Sequence, residues 1–374
     1  MSIDHHKKSF DDGTLTKLEI FEAYAKSWLS IFAVTKGMPV KDLWIWDFFA
    51  GPGESIEGQP GSPIRILKII EDQADRLIAN QRIIHVRFNE KDKEKYKKLL
   101  LNAKAYIQSS GSLQRLKANG NFDGICINKD FADIFKEIVP ALGSAPSLMF
   151  FDQNGVKFIG DEYLLPLLRS RRTDFLFFVS TSYFARFSSR PAFIKNVPFE
   201  WNPENPYKLI HRDIIEYVRG KIPARSKMRV YPFSIKKGSN IYGLIFGASH
   251  VLAAEKFLEI AWKKNEINGE ANFDIDEDNK KKQGCLFDEF VRPTKIEKFH
   301  EEVGEAVKRG IIKNNHEAFY FAINNGFLPS EIALALKDLK RNGVIDYDGK
   351  SPRVTYMDAV KSISSNGLHI YRLK

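Results

Sequence analysis

The chain has 374 residues, of which 43% are hydrophobic and 13% aromatic, and its formal net charge is +10. These values are typical of globular proteins and exclude an intrinsically disordered chain. There is no apolar run of the roughly 18 residues that a membrane span needs and no signal-peptide pattern, so we expect a cytoplasmic protein without a membrane partner. The two cysteines fall in different predicted domains, and no His/Cys/Asp spacing suggests zinc, so we predict neither a disulfide nor a metal site.

Residues 1–40 are predicted to form a helical lead-in, and a buried strand follows at Leu43–Trp46. This strand runs into Asp47-Phe48-Phe49-Ala50-Gly51-Pro52-Gly53. Glycines in such a turn let a ligand approach the main chain, although many strand-to-helix turns need glycine for backbone reasons alone. A nucleotide-type pocket and an ordinary turn are therefore the two alternatives.

The loop after the glycines indicates which nucleotide the pocket would take. A dinucleotide fingerprint needs a third small residue where this chain has Ile56, and Glu54 and Glu57 disfavour a bound pyrophosphate. An adenosine ligand with a cationic sulfonium fits better, because Asp47 or Glu54 would face its positive end. S-adenosylmethionine is such a ligand. The next helix is predicted to begin with Ser62 as N-cap and Pro63 as its first residue.

Strand-like and helix-like hydrophobic patterns then alternate along the chain. Strands are predicted at 83–89, 123–128, 147–152 and 174–180, and helices near 62–80, 91–107, 131–141, 160–170 and 205–220. This alternation predicts an α/β fold with a doubly wound parallel sheet. Two more strands, at about 229–236 and 241–248, form a closing β-hairpin of the kind that class I methyltransferases have and dehydrogenases lack.

Ligands of such sheets bind at the carboxyl ends of the strands, where this chain has one carboxylate after each of four strands. Glu90 is the expected acceptor for two ribose hydroxyls. Asp130 would accept from the adenine amino group while Phe131 packs on the ring, and Asp130 is equally suited to cap the next helix. The predicted cofactor-binding residues are Asp47, Phe49, Gly51, Gly53, Glu90, Asp130 and Phe131.

The chain resembles the three-Cys-motif partner (TcmP) family, bacterial proteins with a methyltransferase-like Rossmann domain. The resemblance covers roughly residues 14–340 and rests on Lys17-Leu18-Glu19-Ile20 through Tyr24 and Trp28, the 47–53 motif, Gly61-Ser62-Pro63 and Asn89-Glu90. It implies the fold, the cofactor and a radical-enzyme-like partner protein that carries the three cysteines. It implies no particular substrate.

One motif departs from that family. Similar proteins have Asp-Pro-Phe/Tyr-Gly after the fourth strand, which resembles the signature of amino-methyltransferases that act on bases, whereas this chain has Asp152-Gln153-Asn154-Gly155. Asp152 is still able to accept hydrogens from an attacking amino group, but the proline and the stacking aromatic are missing. Asp152 and Asn154 are therefore the predicted catalytic residues, and a site that binds without catalysis is the alternative.

The segment 181–201 is the predicted substrate contact, because a loop of this length without periodicity is uncommon unless it is functional. It leaves the end of the fifth strand and interleaves aromatic with basic residues, so that bases would stack on it while cations hold phosphates. The alternative is a lid that packs on the core. The predicted substrate-binding residues are Tyr183, Arg186, Phe187, Arg190 and Lys195.

The C-terminal quarter has an excess of Lys and Arg and predicts a separate domain. We place the Rossmann domain at 41–267, a linker at 268–284 and a winged-helix-like domain at 285–374, with a wing formed by 344–347 and 353–356. Its candidate recognition helix carries Lys337, Lys340 and Arg341 but also Glu331 and Asp338, so DNA binding and protein binding are both open.

The sequence thus predicts an S-adenosylmethionine-dependent methyltransferase that acts on nucleic acid, with a base amino group as acceptor. The main alternative is a catalytically silent scaffold that binds a radical-enzyme-like protein or DNA, and a hydride-transferring dehydrogenase is a more distant one.

Overall fold

A computed structural model of the chain describes residues 12–153, 158–180, 209–238, 240–279 and 292–374. The chain divides into two compact units, Met1–Ala253 and Ala254–Lys374, and the division falls inside the helix Val251–Lys264. The domain bounds predicted from the sequence, with a linker at 268–284, stay a prediction, and residues 254–267 group with the second unit.

The first unit alternates helices and strands. Its helices are α1 (Asp12–Val34), α2 (Ser62–Asp72), α3 (Ala74–Ala79), α4 (Lys93–Ser109), α5 (Gly111–Ala118), α6 (Phe131–Ile138), α7 (Asp161–Arg169) and α8 (Ile210–Gly220). Its strands are β1 (Asp42–Asp47), β2 (Ile83–Asn89), β3 (Phe122–Ile127), β4 (Ser147–Phe151), β5 (Thr173–Val179), β6 (Arg229–Lys237) and β7 (Asn240–Ala248). Across the described ranges of both units, every helix is too short or too polar to cross a membrane.

The seven strands form one sheet in the order β3-β2-β1-β4-β5-β7-β6. The first five are parallel, whereas β7 runs antiparallel to β5 and pairs with β6 as a hairpin. This confirms the doubly wound, class I methyltransferase-like sheet with its closing hairpin. The strand order reverses between β1 and β4, which is where open α/β sheets bind their ligands.

The centre of the sheet is its most apolar part. Every residue of β4 and β5 is buried, as expected for strands with helices on both faces, whereas β1 and β2 alternate between buried and half-buried residues. Helix α1 packs on this centre, since the ring of Phe21 stacks on that of Phe150 in β4 with centroids 3.9 Å apart. The described part of the predicted lead-in therefore contributes to the core of the first unit.

Several local predictions differ from the structure. The helix predicted at 62–80 is two helices that meet at Gln73, and α5 was not predicted. The N-cap of α2 is Gly61 and not Ser62, which is the first helical residue and whose side chain opposes the rise in the pKa of Asp47. Ser62 thus stabilises a buried carboxylate instead of a helix terminus.

Helix α9 (Val251–Lys264) spans the division between the units. The other helices of the second unit are α10 (Lys295–Lys308), α11 (Asn315–Asn324), α12 (Pro329–Arg341) and the short α13 (Ile363–Asn366). A two-stranded sheet pairs β8 (Ile345–Asp346) with β9 (Arg372–Leu373). The wing strand predicted at 353–356 was wrong, because Arg353 has a φ of +54°, which no strand residue adopts. The C-terminal strand takes its place, and the winged-helix assignment stays a prediction.

Candidate functional site

The sheet register brings the predicted site residues to one edge. Asp47 ends β1 opposite Phe88 of β2 on one side and Phe150 of β4 on the other. Glu90 and Asp152 follow these two neighbouring strands within two residues. Three carboxylates from segments far apart in sequence therefore meet around the strand that precedes the glycine turn.

The glycine turn has the backbone conformation that the motif predicts. Gly51 and Gly53 have φ of +62° and +87°, a region that side chains disfavour. Gly61 donates its N–H to the carbonyl of Gly53 at 2.8 Å, and a Cβ at Gly61 would lie 2.8 Å from that oxygen. The loop is thus closed on itself, and part of its glycine content serves the turn alone.

Glu90 joins the turn to the second strand end. Its Oε2 accepts the N–H of Gly51 at 3.0 Å, and its Oε1 accepts the N–H of Asp92 at 2.8 Å. Each carboxylate oxygen has a second lone pair, so Glu90 retains acceptor capacity for a ligand hydroxyl. The residue therefore positions the turn in addition to the ribose role that the sequence predicts for it.

Two asparagines that the sequence analysis missed hold the neighbouring loops together. Asn89 donates its side-chain amide to the carbonyl of Phe48 at 3.1 Å and to that of Lys129 at 3.2 Å. Asn128 donates to the carbonyl of Glu90 at 2.7 Å. The loops after β1, β2 and β3 are thus fixed to one another by the buried Asn89 and the half-buried Asn128, and no local sequence pattern predicts these contacts.

Asp47 is completely buried and only partly satisfied. Its Oδ1 accepts the N–H of Phe49 at 3.2 Å, whereas its Oδ2 lacks a well-placed donor in the part of the chain that the structure describes. Burial raises the pKa of Asp47 to about 7, against the opposing effect of the Ser62 side chain and the Phe49 amide, and nearby Asp152 and Glu90 raise it further. A cationic ligand at this edge would favour the ionised form of Asp47, so the edge suits such a ligand.

Asp152 is paired with a residue that the sequence did not assign to the site. Lys17 of α1 donates from its Nζ to Oδ2 of Asp152 and lies over the ring of Phe178, 5.5 Å from the centroid. The two side chains are 19% and 26% exposed, so solvent reaches the pair. The predicted catalytic carboxylate is therefore covered by a cation from the N-terminal helix.

The residue after Asp152 is also incompletely satisfied. Gln153 is buried, and its Oε1 accepts the N–H of Phe158 at 2.9 Å. Its Nε2 has no hydrogen-bond partner among the described residues. Asn154, the second predicted catalytic residue, lies outside the described ranges.

The predictions for Asp130 and Phe131 fare differently. Asp130 caps α6 by accepting the N–H of Ala132 at 2.9 Å and pairs with Lys91 at 2.6 Å, which is the capping role weighed in the sequence. Phe131 is 2% exposed, with its ring 4.6 Å from that of Phe158, so it belongs to the core and offers no free face to adenine. Phe49 is half-buried beside it, with centroids 5.3 Å apart, and is the more accessible ring.

The predicted substrate-binding residues have no described placement. They are Tyr183, Arg186, Phe187, Arg190 and Lys195, and all five fall in the undescribed range 181–208. Their role stays a prediction.

Two of the three basic residues of the candidate recognition helix α12 pair with carboxylates of the same unit. Lys340 donates to the carbonyl of Tyr347 and lies 3.3 Å from a carboxylate oxygen of Asp346, while Arg341 pairs with Asp338 at 2.7 Å. Lys337 is exposed. Much of the positive charge that suggested DNA binding therefore stabilises this unit.

A cavity of about 320 Å³ lies elsewhere in the first unit, beside α2 and α4. Its lining residues are Glu22, Pro60, Ile64, Arg65, Lys68 and Tyr106. Glu22 and Arg65 form an ion pair there. The cavity includes none of the predicted site residues, so it does not locate the candidate site.

Comparisons with known proteins give only distant likenesses. No known family and no curated protein matches the chain. Among solved structures, it is similar to Trm1 from Pyrococcus horikoshii in complex with S-adenosyl-L-methionine, at 10% identity and a TM-score of 0.39, covering 69% of this chain and 61% of Trm1. It is also similar to an O-methyltransferase from Bacillus cereus in complex with SAH, at 13% identity and a TM-score of 0.31, covering 61% and 79%. The chain thus spans less than two thirds of Trm1. Likenesses this distant do not indicate a function, so the function is inferred from the residues of the site.

Proposed function

We propose that the chain is an S-adenosylmethionine-dependent methyltransferase that acts on an amino group. The observation that carries this proposal is the convergence of Asp47, Glu90 and Asp152 around the glycine turn, with one buried oxygen of Asp47 lacking a partner among the described residues. An unsatisfied buried acceptor at the point where the strand order reverses is typical of a ligand site.

The residues of this edge fit the groups of the cofactor. Glu90 would accept hydrogen bonds from the ribose hydroxyls, and Phe49 would contact the adenine ring with Asp130 near its amino group. The acidic residues would stabilise the sulfonium and ammonium charges, while Gly51 and Gly53 leave room for the main chain to approach the ligand. When bound, the cofactor would supply an electrophilic methyl group.

Asp152 would act on the methyl acceptor. In such a transfer the amino nitrogen would bond to the methyl carbon as the carbon–sulfur bond breaks, S-adenosylhomocysteine would leave, and Asp152 or solvent would take the proton that the nitrogen loses. A carboxylate that accepts an N–H hydrogen increases the electron density on the nitrogen in the transition state. Lys17 shows that Asp152 is able to hold a nitrogen donor. Asn154 is proposed as a second polar contact.

The proposed acceptor class is nucleic acid. The net charge of +10 favours a polyanion, and the aromatic and basic residues of 181–201 suit stacked bases and phosphates. The likeness to the TcmP family belongs to the same proposal, and with it a radical-enzyme-like partner protein. The closing hairpin and the exposed Ile56 in place of a third glycine disfavour a dehydrogenase.

A second candidate is a scaffold that binds without catalysis. It is favoured by the ion pair that covers Asp152 and by the absence of the proline and aromatic residue after it. The two candidates differ in whether the carboxyl edge is functional.

Calorimetry of the full chain with S-adenosylmethionine and S-adenosylhomocysteine tests the proposal. We expect binding of both at one site, followed by transfer of labelled methyl to DNA or tRNA. Folded protein that binds neither ligand would contradict the methyltransferase. Binding without transfer, with and without the partner protein, would favour the scaffold.

A further inference from the structure

We propose that Lys17 binds the carboxylate at the amino-acid end of the cofactor. In doing so Lys17 would exchange its ion-pair partner Asp152 for the ligand carboxylate. This inference rests on the proposed function and assigns a ligand group to a residue of the N-terminal helix. Lys17 is then a ligand-binding residue. In the absence of ligand, its ion pair with Asp152 neutralises both side chains.

The position of Lys17 is set by the packing of α1 on the sheet. Phe21, one helical turn later, stacks on Phe150 of β4, and Tyr24 donates to Asp174 of β5 at 2.7 Å. These contacts hold the helix across β4 and β5. Lys17 therefore lies at the carboxyl edge, between Phe178 near the end of β5 and Asp152 just after β4.

The charges of the edge and of the ligand are complementary only if Lys17 takes part. S-adenosylmethionine has two positive groups, the sulfonium and the ammonium, and one carboxylate. Asp47, Glu90 and Asp152 attract the first two and repel the third. Within the described ranges, Lys17 is the one cation that pairs with any of these three residues. Among the residues that the structure describes, it is thus the cation placed to neutralise the ligand carboxylate.

The order of the strands gives the ligand its direction. Glu90 follows β2, where the ribose is proposed to bind, and β1 lies between β2 and β4. A ligand that starts at Glu90 and crosses the glycine turn after β1 has its amino-acid end on the β4 side. Lys17 and Asp152 are the ion pair on that side.

An ion pair of this kind is suited to exchange with a zwitterion. When Lys17 turns to the ligand carboxylate, Asp152 loses its partner and becomes available to the N–H groups of the methyl acceptor. Both side chains are partly exposed, so the exchange needs no opening of the core. Cofactor binding would therefore prepare the acceptor site.

The test compares ligands that differ at the amino-acid end, measured by calorimetry on the full chain. S-adenosylhomocysteine carries the carboxylate. Decarboxylated S-adenosylmethionine differs from S-adenosylmethionine only in lacking that group, and 5′-methylthioadenosine lacks the whole amino acid. For Lys17→Met we expect about tenfold or more weaker binding of S-adenosylhomocysteine, because a charge-assisted contact is lost. Binding of the other two ligands should change less than about twofold, and Lys17→Arg should retain most of the affinity.

Lys26→Met is the matched control, since Lys26 is an exposed lysine of the same helix and its loss changes the net charge equally. It should leave all three affinities unchanged. Wild-type affinity of Lys17→Met for S-adenosylhomocysteine would overturn the inference and leave the proposed function intact. An equal loss for all three ligands would also overturn it, because the effect would not depend on the carboxylate. Wild-type protein that binds none of the ligands would instead contradict the proposed function.

Discussion

Asp47 and Asp174 are two buried carboxyls at opposite edges of the same sheet. Their hydrogen-bond partners differ. Asp174 lies near the start of β5, where Tyr24 donates to it at 2.7 Å and the Trp28 side chain also hydrogen-bonds to it. Asp47 lies at the end of β1 and keeps an oxygen without a partner, within the described part of the chain. Burial raises the pKa of both to about 7.

The difference separates a structural carboxyl from a candidate functional one. At Asp174 hydrogen bonds that attach α1 to the sheet offset part of the desolvation cost. At Asp47 the same cost is left partly uncompensated, and two more carboxylates lie close enough to increase it. A protein tolerates such an arrangement when a ligand completes it, so the carboxyl edge is where substitutions should alter binding and catalysis.

The largest expected effect is on catalysis at Asp152. Asp152→Asn should lower the rate of methyl transfer by about 100-fold or more while leaving cofactor affinity within a few-fold, because the carboxylate acts on the acceptor in the transition state. The measurement is transfer of labelled methyl to DNA or tRNA, with calorimetry for affinity. Asp174→Asn is the control at the other edge and should retain transfer. Full turnover by Asp152→Asn would remove Asp152 from the reaction.

A smaller effect is expected on cofactor binding at Glu90. Glu90→Gln should weaken binding of S-adenosylmethionine about tenfold or more, since the amide loses the charge that strengthens hydrogen bonds to ribose hydroxyls. The substitution also removes an acceptor from the N–H of Gly51. Calorimetry measures the affinity of the variant, and the midpoint of thermal unfolding checks that the variant is folded. An unchanged affinity would exclude the second strand end from the pocket.

The free energy of unfolding should vary with pH through a buried carboxyl at each edge of the sheet, Asp47 and Asp174. The two carboxyls titrate near pH 7 in the folded chain against an ordinary pKa of 3.8, so the folded state holds protons that the unfolded state releases. Their contribution to stability is therefore complete below about pH 4 and is lost as the pH rises to about 7. Asp174→Asn and Asp47→Asn should each make this decline shallower, by up to ~1.4 kcal/mol per pH unit.

Urea unfolding at several pH values between about 5 and 7 measures that slope. Asp75→Asn is a suitable control, because its carboxylate is 86% exposed and should not affect the slope. A slope equal to that of the wild type in Asp174→Asn would mean that this carboxyl titrates normally.

The smallest effect is expected at Tyr24. Tyr24→Phe removes the donor to Asp174 and should lower the free energy of unfolding by ~1–3 kcal/mol, as is usual when a buried acceptor loses its partner. Cofactor affinity should fall far less than in Glu90→Gln, since the stacking of Phe21 on Phe150 still holds α1, and with it Lys17, on the sheet. A loss of affinity comparable to that of Glu90→Gln would abolish the distinction between the two edges.

Local patterns in the sequence were sufficient for most of the sheet. The apolar runs 148–151 in β4 and 175–179 in β5, and the turn between β6 and β7, identified the strands to within about two residues. Burial on both faces and a short turn leave direct traces in the sequence. The carboxylates at the strand ends followed, since parallel strands bring their ends to one edge. Asp47, Glu90 and Asp152 therefore belong to what the residue order itself decides.

Contacts between distant segments decided the rest. Lys17 meets Asp152 across 135 positions of the chain, and only the packing of α1 on β4 and β5 brings them together. The burial of Phe131 depends on rings from several other segments, and the partner of β8 is a strand at the C-terminus. None of these has a local signature, because side-chain partners and strand pairing depend on how elements pack in three dimensions and not on the pattern within each one.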